Sequence, residues 1–575
     1  MATWYDWFPE RYDDELKAYE RQGIAIVIDE DSRARGTLSL TADIVVDSKH
    51  YEIRVDYPSL FPFFQPHAFL ENHQLARHHG PNGGHLCLLG RGTHQWSSSD
   101  NFADVLIERF PIILEINATN DIEKIKALEE PQGEPFTEYL NGMGVPGSSI
   151  LYESTLDIDP AITMGMASLR TERIADGKTD AAPIVGHILE ITKNGESVFS
   201  WSGPPIQSHS SMLRLPWVRL DKPPTSLDTR FIDLLTEDQK RHVKVSPLRN
   251  RNPIHFLVIF REEYQQFQFA DGLAFVTIHP KYFGNRKKGR VVKHSINFQR
   301  TFRAGTADLA ARMPAVAELQ SKKIALFGLG ALGSFAAVEF ARAGVKEIRL
   351  VDFDFVEPAT IRRWALGAPI FGQKKAKSIA DHLEEHYPWT NPIAYSDFKI
   401  GAVDNPGQST NQFDQLVTII DGTDLIVDLT AEQGVNEILS MVARQLQTPY
   451  LVASATPGAW GGYVARFGTH HDDACWTCLT HDLYGDVMAA DLPPGDPNGR
   501  IQPPGCGSLT FTGTSVDIQE ISLEVLRQAF GVLTTSYPKS DFQLSIVQNR
   551  RPDGSRSVPE WTSREISKRD NCSCS

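Results

Sequence analysis

Lys323-Ile324-Ala325-Leu326-Phe327-Gly328-Leu329-Gly330-Ala331-Leu332-Gly333-Ser334 is the stretch whose reading decides the fold of the C-terminal half. A short, mostly apolar run reads as a buried strand. Glycines spaced Gly-x-Gly-x-x-Gly then break it and open a helix over 334–343. A second strand is expected over 347–352, and 425–429 and 449–454 continue the series. Strands alternating with helices predict a Rossmann-like, doubly wound parallel sheet. Glycine lets the backbone approach phosphate oxygens, and a helix N-terminus offers free N–H donors with partial positive charge. Asp352 ends the second strand 19 residues after Gly333, where a carboxylate can bind ribose hydroxyls. Gly328, Gly330, Gly333 and Asp352 are therefore candidate nucleotide-binding residues. The loop and acid alone would equally suit a dinucleotide-dependent oxidoreductase.

The residues downstream of the loop narrow the chemistry. Asp352-x-Asp354-x-Val356 runs into Arg362-Arg363 and then Gly372-Gln373-Lys374-Lys375-Ala376. Here the sequence resembles the ThiF/MoeB and ubiquitin-activating adenylyltransferases. Their pattern is Asp-x-Asp-x-Val, a downstream Asn-x-x-Arg-Gln, then Gly-x-x-Lys-Ala. The resemblance implies that Arg363 and Lys375 grip ATP phosphates, with Mg2+, and stabilise charge developing at the α-phosphate. Thr360 and Trp364 stand where the family has asparagine and glutamine. The family's acidic magnesium ligand aligns with Ala431 in Asp428-Leu429-Thr430-Ala431-Glu432. Asp428 is a candidate cofactor residue or a support for the strand end, and Glu432 or Asp354 could assist the metal. Members of the family often take an arginine from a partner subunit, on the segment before the first strand. Arg300, Arg303 and Arg312 lie in that segment, so a homodimer is expected.

Six cysteines in 575 residues are too sparse for a disulfide scaffold, and paired spacing reads better as metal binding or catalysis. Cys475-x-x-Cys478 and Cys572-x-Cys574 resemble the two halves of the family's structural zinc site. Thiolates bind zinc tetrahedrally, and four of them leave no open position for chemistry. Cys506 sits in Gly505-Cys506-Gly507-Ser508-Leu509, ahead of a helix expected over 515–530. Its flanking glycines suggest an exposed segment, and a nearby helix N-terminus would favour the thiolate. By the resemblance, Cys506 is the acceptor thiol of the crossover segment.

Residues 1–125 read as one α+β domain. A helix is expected over 10–22, strands over 24–29, 35–47 and 51–56, and a helix over 102–116 after the cap cluster Ser97-Ser98-Ser99-Asp100. Prolines in 57–66 end the strands. His78-His79-Gly80-Pro81-Asn82-Gly83-Gly84-His85-Leu86-Cys87-Leu88 comes next, with Trp96 nine residues after the cysteine. This resembles the ubiquitin-conjugating fold. The resemblance implies that Cys87 carries an acyl thioester and that Asn82 stabilises the oxyanion, with His79 or His85 sharing that polar role. Residues 126–300 read as an α+β linker domain with no catalytic signature. By the resemblance to the adenylyltransferases, residues 301–575 are expected to form the adenylation domain with the zinc site.

The whole is a multidomain α+β and α/β chain. A net charge of −15 argues against a general nucleic-acid binder. No apolar run is long enough to span a membrane, and the opening residues lack a secretory leader, so a cytoplasmic protein is expected. A conjugating-type domain followed by an activating-type domain resembles the bacterial fusion proteins of CBASS antiphage operons. That resemblance implies ATP-dependent ligation of a partner's C-terminus, that of a cGAS/DncV-like nucleotidyltransferase, onto target lysines. Two other readings stay open: another bacterial ubiquitin-like modifier system, or a sulfur-carrier adenylyltransferase with an N-terminal docking module.

Overall fold

The computed structural model describes residues 3–81, 83–90, 95–129, 132–140, 148–173, 184–203, 211–224, 227, 229–245, 253–283, 291–403, 411–470, 473–485, 492–502, 510–570 and 572. The chain divides into two units, Met1–Ser202 with Ser208–Asp308, and Gly203–Gln207 with Leu309–Ser575.

The first long helix of the first unit is Pro9–Arg21, whose proline sits where a missing N–H costs nothing. Strands Ala25–Ile28, Leu38–Val46, Lys49–Tyr57, His67–Phe69 and His85–Leu86 then form an antiparallel meander in chain order. Leu38, Leu40, Ala42 and Ile44 alternate inward from the second strand, as the period of two requires. They meet Phe102, Leu106, Phe110 and Ile113 from helix Phe102–Ala118. That helix and the first one pack together over one core. The helices and strands expected in this region are all present, with ends shifted by a few residues.

A nine-stranded sheet comes next in the same unit. Its order runs Val291–Gln299, Gln268–Phe283, Ile254–Gln265, Ser211–Leu220, Met164–Arg173, Ile184–Lys193, Ser149–Tyr152, Thr301–Arg303, with Glu196–Ser200 added beside Ile184–Lys193. Phe256, Val258 and Phe260 face one core, and Leu257 and Ile259 face another. Burial on both faces explains why 255–260 reads as a continuous apolar run rather than an alternation.

In the second unit an eight-stranded sheet has the order Asn391–Tyr395, Glu347–Val351, Lys323–Phe327, Leu425–Asp428, Tyr450–Ala455, Gly461–Phe467, Leu544–Arg550, Arg556–Arg564. The first five strands are parallel and the last three antiparallel. Ile324 and Leu326 face helices Ala331–Arg342, Lys375–His386 and Ser515–Leu533. Ala325 and Phe327 face Gln412–Ile420, Gln433–Gln445 and Trp476–Tyr484. The sheet is thus doubly wound, as the glycine-loop stretch predicts. No helix among the described residues is long and apolar enough to cross a membrane.

Candidate nucleotide site and thiol centres

Strand Lys323–Phe327 lies between Glu347–Val351 and Leu425–Asp428, where the strand order reverses. Ligands of doubly wound sheets bind beyond the carboxyl ends of strands at such a point. The three glycines there serve three different needs. Gly328 has φ +80°, and a Cβ on it would stand 2.7 Å from Thr430 N. A Cβ on Gly333 would stand 1.8 Å from the Gly328 carbonyl oxygen. Gly330 would meet nothing within 4 Å, and it caps helix Ala331–Arg342. Two glycines let the loop fold against the neighbouring backbone, and the third leaves the space in front of the helix clear.

Asp352 ties this loop to the second strand. Its carboxylate accepts from Leu329 N at 2.7 Å and from Asp354 N at 2.8 Å. Burial pushes the Asp352 carboxyl up from its ordinary range, against the pull of Lys375 and the two amides.

The two downstream motifs are stapled together. Val356 N donates to Gln373 O at 2.8 Å, Gly372 N to Val356 O at 2.9 Å, and Lys375 N to Asp354 O at 2.9 Å. The Lys375 ammonium pairs with the Asp354 carboxylate at 3.0 Å. Lys375 thereby begins helix Lys375–His386 with its charge directed onto the loop after Asp352.

Arg363 contacts a different segment. Its guanidinium donates to Phe511 O at 2.6 Å and lies 4.9 Å from the centre of the Phe511 ring. Burial lowers its affinity for the proton. Phe511 belongs to a two-stranded antiparallel sheet, Arg500–Ile501 with Thr510–Phe511. Cys506 falls between these strands in sequence, outside the described residues. Arg363 is therefore bound to strand Thr510–Phe511, four residues after Cys506 in sequence.

Asp428 is fully buried. One oxygen accepts from Thr430 N and Oγ1, at 3.0 and 2.7 Å. The other accepts from Asn436 Nδ2 at 2.7 Å and Tyr450 OH at 2.8 Å. All four bonds are internal, so this carboxylate anchors the strand end. Ala431 adopts φ +55°, and Glu432 is exposed at the cap of helix Gln433–Gln445. Among the candidate partner arginines, Arg303 is engaged within its own unit, 3.2 Å from Glu262 and 3.1 Å from Tyr152 OH.

The Sγ atoms of Cys475, Cys478 and Cys572 lie within 4.8 Å of one another, all in buried residues. Cys475 is 3.8 Å from Cys478 and 3.4 Å from Cys572. Sulfurs on a tetrahedral ion at about 2.3 Å would stand roughly 3.8 Å apart, so the donor set fits such a cation. Cys574 lies outside the described residues.

In the first unit, Cys87 is half-buried and comes directly after strand His85–Leu86. Its N–H donates to His78 O at 2.9 Å, and Gly80 N donates to His85 O at 2.7 Å. Segments 78–80 and 85–87 thus form the arms of a tight hairpin. Gly84 at its turn has φ +71°, and a Cβ there would stand 2.4 Å from Leu70 O. Asn82 lies outside the described residues. The His79 ring bonds the Leu70 carbonyl at 2.9 Å, and the His85 ring packs on Phe69. Trp96 donates to Pro62 O at 2.8 Å, fastening the proline turn beside the core. Sequence reasoning missed Arg77, Glu129 and Glu263, which meet at the foot of this hairpin. No spacing rule reaches them, because the contacts span 52 and 186 positions.

Residues 306–516 match the ThiF family. Over its whole length the chain is 30% identical to the uncharacterized protein y4oA of Sinorhizobium fredii, covering 97% of that protein. It is 25% identical to the ATP-dependent ubiquitin transferase-like protein Cap2 of Vibrio cholerae, over 69% of this chain and 66% of Cap2. It is 26% identical to the molybdopterin-synthase adenylyltransferase of Salmonella typhimurium, over 29% of this chain and 62% of that enzyme.

Proposed function

We propose that this chain, which belongs to the family of y4oA and carries a ThiF domain over residues 306–516, uses ATP to activate the C-terminal carboxylate of a partner protein and ligates it to a target amine. The observation that carries this reading is the stapling of Asp354 and Lys375 beside the glycine loop, with Arg363 joining that site to the segment of Cys506. A carboxylate oxygen attacks the α-phosphorus of ATP and pyrophosphate leaves. The Gly330 end of helix Ala331–Arg342 faces the phosphates, and Lys375 and Arg363 stabilise the charge that develops. Bound Mg2+ would supply further charge neutralisation on the phosphates. Asp354 and Glu432 are the exposed carboxylates that fit it, and Asp428 is left out because its oxygens already hold four internal donors.

The Cys506 thiolate then attacks the acyl carbon and AMP leaves. The Cys87 thiolate attacks the new thioester, and the Cys506 thiolate is the leaving group. A lysine amine attacks the Cys87 thioester, loses a proton and forms an isopeptide bond, releasing the thiolate. Asn82 supports the oxyanion of this last step. Successive thioesters keep the activated acyl group from competing hydrolysis. The partner fits a cGAS/DncV-like nucleotidyltransferase, and the similarity to Cap2 is in keeping with a CBASS role in the cytoplasm.

Zinc on Cys475, Cys478, Cys572 and Cys574 would pin the C-terminal segment to helix Trp476–Tyr484. Cys478→Ser should lower bound zinc below one per chain by elemental analysis, and a strong chelator should lower the wild-type unfolding temperature toward that of the variant.

The test of the relay is intact mass after incubation with ATP, Mg2+ and candidate partners. Wild type should gain a thiol-reducible adduct. Cys506→Ala should abolish it, and Cys87→Ala should hold it on Cys506. Adenylation without an adduct on either cysteine would replace the relay with a sulfur-carrier adenylyltransferase, a reading that the similarity to molybdopterin-synthase adenylyltransferase supports.

A further inference from the structure

At the foot of the Cys87 hairpin, two consecutive residues are bound into other parts of the first unit. Arg77 is buried, and its guanidinium reaches Glu129 at 2.7 Å and Glu263 at 2.6 Å. His78 is buried and sits at φ +58°, a conformation that a non-glycine residue holds only when its surroundings fix it. Its backbone N–H donates to Glu134 at 2.9 Å. Its ring meets Glu129 at 2.7 Å on one side and Gln132 at 3.0 Å on the other. Its carbonyl accepts the Cys87 N–H. Gln266, in the turn between strands Ile254–Gln265 and Gln268–Phe283, adds a bond to Glu129 at 2.8 Å. Glu263 lies on the first of those strands, and Glu129 comes just after the N-terminal domain's last helix, Ile122–Leu128.

Every carboxylate in this cluster has a cationic or amide donor, so the cluster is complete as built. Removing one member leaves the others buried with unmet partners, which costs more than an exposed pair would. The burden falls on one place, the backbone of His78, and that backbone holds Cys87.

We infer that the Arg77–His78–Glu129–Glu263 cluster is a positioning device for Cys87, through which the tip of the nine-stranded sheet fixes the thiol's hairpin for acyl transfer. The nine-stranded sheet is then part of the transfer apparatus and not only a spacer. Arg77, His78 and Glu129 are positioning residues that touch no reacting atom. The transfer half of this inference rests on the proposed relay, and the positioning half does not.

The experiment uses the full chain with Glu129→Ala and the milder Gln266→Ala, which removes one bond from a half-buried turn residue and leaves both ion pairs. Alkylation of Cys87 by iodoacetamide is followed by peptide mass mapping, with alkylation of the buried Cys475 marking global unfolding. Cys87 should react about tenfold faster in Glu129→Ala, and by a smaller factor in Gln266→Ala, because loss of a buried charge-assisted bond opens the hairpin locally. In single turnover with ATP and partner, Cys506 should load at the wild-type rate in both variants. Passage to Cys87 should slow at saturating partner, a change in kcat and not in KM.

Unchanged Cys87 alkylation in folded Glu129→Ala overturns the inference. If that variant does not fold, unchanged alkylation in Gln266→Ala overturns it instead. Equal loss of Cys506 loading and Cys87 transfer also overturns it, since the cluster would then serve overall folding. If wild type loads neither thiol, the relay itself has failed, and the alkylation rates still decide the positioning role.

Discussion

Gly333→Ala should abolish nucleotide binding and lower the unfolding temperature by about 5–10 °C, the shift expected for ~3 kcal/mol in a domain of this size. Alanine is ordinarily the better helix former, by about 1 kcal/mol. Here the new methyl would stand 1.8 Å from the Gly328 carbonyl oxygen, and both groups are fixed by backbone. Neither can swing aside, so the clash outweighs the propensity gain. Gly330→Ala separates folding from binding. No atom lies within 4 Å of its Cβ, and the backbone there does not need a left-handed φ. That variant should unfold at the wild-type temperature within a degree or two and yet bind ATP at least tenfold more weakly, because the methyl enters the space the phosphates would occupy. Calorimetric titration with ATP and thermal denaturation check both variants. Equal ATP affinity for Gly330→Ala and wild type would remove the phosphates from this loop.

Lys375→Ala should reduce partner-dependent adenylation by about 10²–10³-fold, the usual cost of losing one donor aimed at developing charge. Stability should barely change. The pair with Asp354 is half solvent-exposed on the carboxylate side, and such pairs contribute about 0–1 kcal/mol. A large loss of rate at unchanged unfolding temperature is therefore the signature of a residue that serves the reaction. Loss of both together would make Lys375 a structural staple between the two motifs. The two outcomes separate cleanly because the backbone bond from Lys375 N to Asp354 O survives the substitution.

The parallel part of the second unit was legible in the sequence because a buried strand, a glycine turn and an amphipathic helix leave separate local marks. The same holds for the N-terminal meander, where Leu38, Leu40, Ala42 and Ile44 alternate in plain view. The nine-stranded sheet was less legible. Its central strand is buried on both faces, which removes the alternation, and its parallel pairs join segments distant in the chain, such as Ser211–Leu220 with Ile254–Gln265. The antiparallel end of the second sheet, from Gly461 to Arg564, carried no signal strong enough to place it.

At the candidate site, residue types were legible and orientations were not. Asp428 stands at the strand end as its motif suggests, but only the fold reveals Asn436 and Tyr450 as the donors that engage its second oxygen. Arg363 was read as a phosphate ligand, and its bond to Phe511 adds a link to the Cys506 segment that lies 148 positions away. Trp364, a departure from the family's glutamine, is buried and donates to Leu329 O at 2.6 Å, so it braces the glycine loop from behind. The Arg77–Glu129–Glu263 cluster left no mark at all, because an arginine and two glutamates far apart in sequence read as ordinary surface charge.

ATP–pyrophosphate exchange isolates the proposed adenylation of a protein carboxylate by the second unit from the later thiol steps. The wild-type chain with Mg2+ should exchange labelled pyrophosphate into ATP only when a partner with a free C-terminal carboxylate is present, and amidation of that C-terminus should stop it. No exchange with any candidate partner, together with saturable binding of NAD in place of ATP, would rule out adenylation and return the glycine loop to dinucleotide chemistry.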